Sequence, residues 1–344
     1  MKWSTIRGTL AGVALGLLTA LAQAATGLTE IAGLDGDGPV TAFYPSSSSA
    51  QTLKRGSFAI TVAWQGVPVR GNGRLIIVSH GSGGSPWVHG DLARMLVDAG
   101  FVVAMPEHRG DNYKDFSAAG PDSWKRRPAE VSRAIDAVAR DTRFSPLLSL
   151  DKVGVYGMSA GGHAALSFAG GRWSPALFKR HCEARLAEDF PACVGIATSL
   201  RGDFLDAARK SVARMVIAWR FSDPTWYTHE DPRVRAIVAG VPFAADFDMP
   251  SLSAPRVPLG LVVAEKDKWL APPFHAGAVL KACASCELVA DLPAGGHGAL
   301  LSPLPPRLPE RAALLLNDPP GFDRKSLPEI DRRIVAFFRK HLLP

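Results

Sequence analysis

The chain has 344 residues, of which 47% are hydrophobic and 21% charged, a balance that excludes disorder throughout and fits one large domain with an insertion. The formal net charge of +7 is modest for this size. The basic residues are scattered except at Lys125-Arg126-Arg127, which reads as a solvated face at a helix start, so no nucleic-acid partner is expected.

In chain order, Lys2 and Arg7 flank the start of an apolar run from Thr9 to Ala22 that ends in Ala22-Gln23-Ala24. A basic start, a short apolar stretch and small residues at the end describe a secretory signal peptide over residues 1–24, cleaved after Ala24. The run is too short and too rich in Ala and Gly to span a bilayer comfortably, so no stable membrane insertion is expected after cleavage. The product would be periplasmic or secreted, with residues 25–344 as its domain.

Thr41–Tyr44 and Phe58–Trp64 read as an antiparallel edge pair, with the polar run Ser46–Ala50 between them. Buried strands follow at Leu75–Ser79, Phe101–Met105, Lys152–Tyr156, Ala236–Val241 and Leu259–Ala264. Helical stretches alternate with them near Val88–Ala99, Pro128–Arg143, Ala160–Ala169 and Pro273–Ala282. This alternation implies an α/β fold, a mostly parallel sheet with helices on both faces. Residues of about 171–233 interrupt it and read as a cap over the site. They are rich in aromatics, and Trp226 and Tyr227 are candidates either to line a substrate pocket or to fix the cap to the core. The Pro-rich stretch Leu301–Pro320 reads as an ordered loop, and a last helix is expected near Leu327–His341.

Four cysteines in an exported chain favour disulfides, and their local spacing pairs Cys182 with Cys193 and Cys283 with Cys286. The single CxxC lacks a second such pair and a following His, so a metal site is not expected there.

Chemistry concentrates in three places. Gly157-Met158-Ser159-Ala160-Gly161 lies between a strand and a helix, where a tight turn needs small neighbours and projects a nucleophilic serine. His80-Gly81-Ser82-Gly83-Gly84 follows another strand. Its glycines let backbone amides converge on a carbonyl oxygen, so the N–H groups of Ser82 and Ala160 are the expected oxyanion donors, and His80 would orient the loop. The cluster lacks the endings of phosphate-binding loops. A serine needs a base. With chain order serine, acid, histidine, the choices are His275, His297 and His341; the first and last read as surface residues, and His297 in a glycine-rich loop is the expected base. Asp267, after the strand ending at Ala264, is the expected acid, ahead of Glu265 and Asp246.

At these residues the chain resembles the dienelactone-hydrolase-like branch of the α/β-hydrolases and, more distantly, the platelet-activating-factor acetylhydrolases. The resemblance rests on Ser79–Gly84, Pro106-Glu107-His108-Arg109-Gly110-Asp111, Gly157–Gly161, Asp231–Ala236, Glu265-Lys266-Asp267 and Gly295-Gly296-His297-Gly298. It implies the α/β-hydrolase fold and a Ser159–Asp267–His297 triad. The expected activity is hydrolysis of small carboxylic esters or lactones with no metal or cofactor. An acyltransferase, a phospholipid or polyester acyl hydrolase, and a non-catalytic binding protein are the alternatives. The chain departs from true dienelactone hydrolases in its serine nucleophile and its larger insertion. Gly298 replaces the usual bulky residue after the histidine, which would leave room in the pocket.

Overall fold

Runs such as Leu75-Ile76-Ile77-Val78 carry apolar side chains at every position, and such segments are stable only with both faces covered. The computed structural model describes residues 24–344 except 306 and 309, so the leader expected over residues 1–24 lies outside the described residues apart from Ala24. Among the described residues ten strands form one sheet: β1 (Ala25–Ile31), β2 (Val40–Ser46), β3 (Gln51–Arg55), β4 (Phe58–Trp64), β5 (Leu75–Ser79), β6 (Val102–Pro106), β7 (Val153–Met158), β8 (Val234–Gly240), β9 (Leu259–Ala264) and β10 (Glu287–Leu292). Their order is β10-β9-β8-β7-β5-β6-β2-β1-β4-β3. From β10 to β6 all pairs are parallel, and β2 is antiparallel to both β6 and β1.

Among the described residues nine α-helices accompany the sheet: α1 (Gly90–Asp98), α2 (Pro121–Arg140), α3 (Ala160–Phe168), α4 (Pro175–Arg185), α5 (Phe190–Val194), α6 (Asp206–Arg220), α7 (Ala276–Ala282), α8 (Glu310–Leu316) and α9 (Leu327–Leu342). Strand alternation divides the core in two. Leu75 and Ile77 face a layer built from α2, α3, α7 and the insertion, while Ile76 and Val78 face α1 and α9.

Three expectations change. The strands at 41–44 and 58–64 do not pair with each other, because β1 lies between β2 and β4, and the antiparallel partner of β4 is β3. Thr and Gly make β1 inconspicuous in sequence, yet Gly27 is required there: a Cβ would stand 2.3 Å from the Tyr44 ring. Helix α2 starts at Pro121 rather than Pro128; the first proline takes the position at a helix start where its missing N–H is harmless. The Pro-rich tail contains the short helix α8.

The insertion joins the core through aromatic packing. Trp124 of α2 meets Trp173, Phe178, Phe221 and Phe243 with ring centroids 4.4–6.3 Å apart. Disulfides link Cys182 to Cys193, tying α4 to α5, and Cys283 to Cys286. Among the described residues, no helix is long and apolar enough to cross a membrane.

Candidate active site

Parallel strands of one sheet bring their C-terminal ends to the same edge, and the site is assembled there from β5, β7, β9 and β10. Ser159 occupies the turn from β7 to α3 with φ +56°, a left-handed conformation that costs a non-glycine residue energy and is held by its surroundings. Its N–H donates to Gly240 O at 3.1 Å, and its carbonyl accepts from the N–H groups of His163 and Phe243. Glycine is obligatory beside it. A Cβ at Gly157 would lie 2.0 Å from Gly161 O, and one at Gly161 would lie 1.9 Å from Ser79 O.

His297, in the loop after β10, places Nε2 3.0 Å from Ser159 Oγ. Its Nδ1 lies 2.8 Å from Asp267 Oδ2. The other oxygen of Asp267 accepts from the backbone N–H groups of Trp269 (2.8 Å) and Leu270 (2.9 Å), so the turn after β9 fixes the carboxylate. The three residues chosen as serine, base and acid therefore form one connected chain. Asp267 and His297 are buried while Ser159 keeps partial exposure.

The glycine-rich loop after β5 lies against the serine: a Cβ at Gly81 would be 3.3 Å from Ser159 Cβ. Among the described residues, the backbone N–H groups of Ser82 and Ala160 have no protein acceptor. The Ser82 hydroxyl instead anchors the loop by donating to Asp111 Oδ1 at 2.6 Å, beside the Gly83 N–H at 2.9 Å. His80, expected to orient the loop, has Nδ1 2.7 Å from Gly81 O within it.

Sequence reasoning missed what holds this loop. Arg127 and Asp111 form an ion pair at 2.8 Å with no exposed surface, and Arg127 also donates to His80 O. The basic triplet is thus not one solvated face: its third member is fully buried. Burial would raise the Asp111 pKa, but the Arg127 guanidinium and hydroxyls from Ser82 and Ser123 bring it down to about 2. Asp111 belongs to the Pro106–Asp111 motif, whereas the composition around Arg127 carried no signal of burial. Further down, His108 Nδ1 lies 2.6 Å from Glu130 Oε2, and its Nε2 lies 2.7 Å from Ser79 Oγ.

Other candidates fall elsewhere. Asp246 is buried against His163 Nε2 at 3.0 Å. His275 is not a surface residue: it is buried, accepting from Ala244 N–H and meeting Asp189, because α7 docks against the loop after β8. His341 lies 2.8 Å from Glu287 at the end of α9. Gly298 does not leave room, since a Cβ there would be 2.3 Å from Leu316 O at the end of α8. Tyr227 stacks on Trp173 with centroids 4.9 Å apart and donates its hydroxyl to Asp223, and Trp226 lies under the Arg172 guanidinium.

A cavity of about 580 Å³ lies apart from Ser159, which does not line it. Asp91, Arg94, Asp98, Arg324 and Asp331 line it between α1 and α9, a mixed polar lining without an aligned nucleophile. Among the described residues, no cluster of three or more His, Cys, Asp or Glu is arranged to hold a metal ion. Compared with protein-family models and with curated proteins, the chain matches none, so these side chains themselves carry the case for a function.

Proposed function

We propose that this chain is a serine hydrolase of the α/β-hydrolase fold that cleaves carboxylic esters or lactones through an acyl-enzyme. The observation that carries the reading is the alignment of Ser159 Oγ, His297 and Asp267 at 3.0 and 2.8 Å, with the serine on a strained strand-to-helix turn. The serine, acid and histidine also follow one another in the chain order of that fold.

The reaction proceeds by acyl transfer. Ser159 Oγ bonds to the substrate carbonyl carbon while His297 Nε2 takes the hydroxyl proton. The amides of Ser82 and Ala160 donate to the resulting oxyanion. Asp267 keeps the His297 proton on Nδ1 and stabilises the imidazolium without accepting the proton. Collapse breaks the carbon–oxygen bond to the leaving alcohol, which receives the proton from Nε2. Water then repeats the sequence and releases the acid. A lactone follows the same steps, with its alcohol and acid remaining in one product.

A fluorophosphonate probe tests the reading. It should label one tryptic peptide, at Ser159, and Ser159→Ala should abolish both labelling and hydrolysis of p-nitrophenyl acetate. Wild-type protein that neither labels nor turns over esters or lactones would overturn it.

A further inference from the structure

The cavity between α1 and α9 has the size of a small-molecule site, and neither Ser159 nor His297 lines it. Helical spacing builds its walls. Asp91, Arg94, Met95 and Asp98 recur at intervals of three and four along α1 and share one face. On α9, Leu327 and Pro328 stand four and three residues before Asp331 and share a face with it.

Charge selects the occupant. Of the five charged side chains in the lining, three are already committed. Arg94 pairs with Asp91 at 2.5 Å, and Asp91 also accepts from the Ser302 hydroxyl. Arg324 pairs with Asp318 and donates to the carbonyls of Leu301 and Gly298, in the loop that carries His297. The remaining two, Asp98 and Asp331, are both carboxylates. Neither has a hydrogen-bond or ion-pair partner among the described residues.

Asp331 is only 8% exposed and lies on the cavity wall, where a carboxylate without donor or cation is costly. Burial and the nearby Asp91 raise its pKa to about 7, so it holds a proton that an arriving cation would displace. Asp98 is exposed and lies seven residues, about 10 Å, beyond Asp91 along α1. One free carboxylate thus marks a closed end of the cavity and the other an open end. Met95 lies between Asp91 and Asp98 on α1, and Leu327 and Pro328 give the α9 wall an apolar surface.

An anion would find both guanidiniums engaged. A metal ion needs ligands gathered at one point, and among the described residues no such cluster exists. A ligand with one ammonium group would leave one carboxylate unmatched. Two cationic ends joined by methylenes match both carboxylates and the apolar wall between them.

We propose that this cavity binds an aliphatic polyamine, with one ammonium at Asp331, another at Asp98 and its methylenes against Met95 and Leu327. Isothermal titration calorimetry with spermidine, and with pentylamine as the monoamine control, measures this directly. Spermidine should bind one equivalent at pH 7, and pentylamine at least tenfold more weakly. Asp331→Asn and Asp98→Asn should each weaken spermidine at least tenfold, and Asp98→Asn should keep the wild-type melting temperature because its side chain faces solvent. At pH 6, titrations in buffers of different ionisation enthalpy should show protons released from wild type on binding and none from Asp331→Asn. Ser159→Ala should bind spermidine as wild type does, so the site stands or falls apart from the hydrolase reading. Absence of spermidine binding, equal affinity for pentylamine, or undiminished binding by either aspartate variant would each overturn the proposal.

Discussion

Among the described residues two serine–histidine–carboxylate chains run through this molecule, one at the strand ends and one inside it. Ser159, His297 and Asp267 are linked at 3.0 and 2.8 Å; Ser79, His108 and Glu130 are linked at 2.7 and 2.6 Å. By hydrogen-bond length alone the second is the tighter. It is also wholly buried, and Ser79 ends strand β5 in the sheet, paired in parallel register with Gly157 of β7. Burial with Arg127 nearby pushes His108 well below its ordinary pKa, and burial pushes Glu130 up, so both are biased toward their uncharged forms. A base that resists protonation and a serine without access cannot perform acyl transfer. What separates the two chains is the strained turn and the partial exposure of Ser159, and the proposed nucleophile role rests on these features more than on the hydrogen bonds.

The largest contrast should come from the two serines. Ser159→Ala is expected to lower kcat by about 10⁴ or more with little change in melting temperature. Ser79→Ala should leave kcat within a few-fold and instead cost about 1–3 kcal/mol of stability, because His108 Nε2 loses its buried partner. Chemical denaturation and ester kinetics on both variants check this; a catalytic collapse in Ser79→Ala without loss of stability would make the inner chain part of the reaction.

The acids should separate in the same way. Asp267→Asn favours the wrong tautomer of His297 and should cost about 10³–10⁴ in kcat near neutral pH. Glu130→Gln and Asp246→Asn should change kcat far less. An Asp246 effect larger than that of Asp267 would move the catalytic acid to the end of β8.

The difference between the chains also explains what could be read from sequence. The Ser159 turn was legible because its close backbone approaches demand glycine at positions adjacent in sequence, so the physical constraint appears as a motif. Asp267 and His297 were legible from chain order and loop position. Ser79, His108 and Glu130 come from β5, the loop after β6 and α2, and nothing in their spacing announces a contact. Arg127 was hidden in a run of like charges, although burial had made it different from Lys125. Strand β1 was missed because Thr and Gly weakened its apolar alternation, and tertiary pairing with β2 and β4 supplied what local sequence lacked.

Arg127 stands between the two chains, paired with Asp111 under the glycine-rich loop. Arg127→Met would leave the Asp111 carboxylate buried without its partner and should cost about 3–5 kcal/mol. Because the same guanidinium donates to His80 O, kcat should also fall while the Ser159 turn persists. Replacing both Asp111 and Arg127 by apolar residues should recover stability more than kcat, which separates the fold's need for charge pairing from the loop's need for an anchor.

Neither chain should dominate the pH dependence of stability on the alkaline side; Asp331 should. It is buried on α9 with Asp91 nearby, and burial followed by that like charge raises it to about 7. A carboxyl raised in the folded state contributes stability below its unfolded value near 4, and that contribution is lost as pH rises through about 7. Asp331→Asn should therefore match wild type near pH 4, exceed it by about 2–4 kcal/mol at pH 8, and leave kcat unchanged. His108 has the opposite sign: a lowered histidine loses its contribution as pH falls below about 6.5. Its effect should remain in the Asp331 variant as an acid-side decline.

The smallest expected effect concerns the aromatics of the insertion. Trp226 and Tyr227 were candidates to line the acyl pocket, but their contacts point to packing. The Tyr227 ring is stacked on Trp173 and its hydroxyl is given to Asp223, while Trp226 carries Arg172 on its face. Trp173 in turn contacts the His163 ring on α3, with centroids 4.6 Å apart. Tyr227→Ala should therefore lower the melting temperature by a few degrees, reflecting about 1–2 kcal/mol for a half-buried ring, and alter kcat only through slight loosening of α3. Trp226→Ala should do less of both. Rates on p-nitrophenyl acetate, butyrate and octanoate would fall in equal proportion if these rings serve packing. A shift in preference between short and long acyl chains at unchanged melting temperature would instead place Tyr227 or Trp226 at the substrate and make the insertion a determinant of specificity.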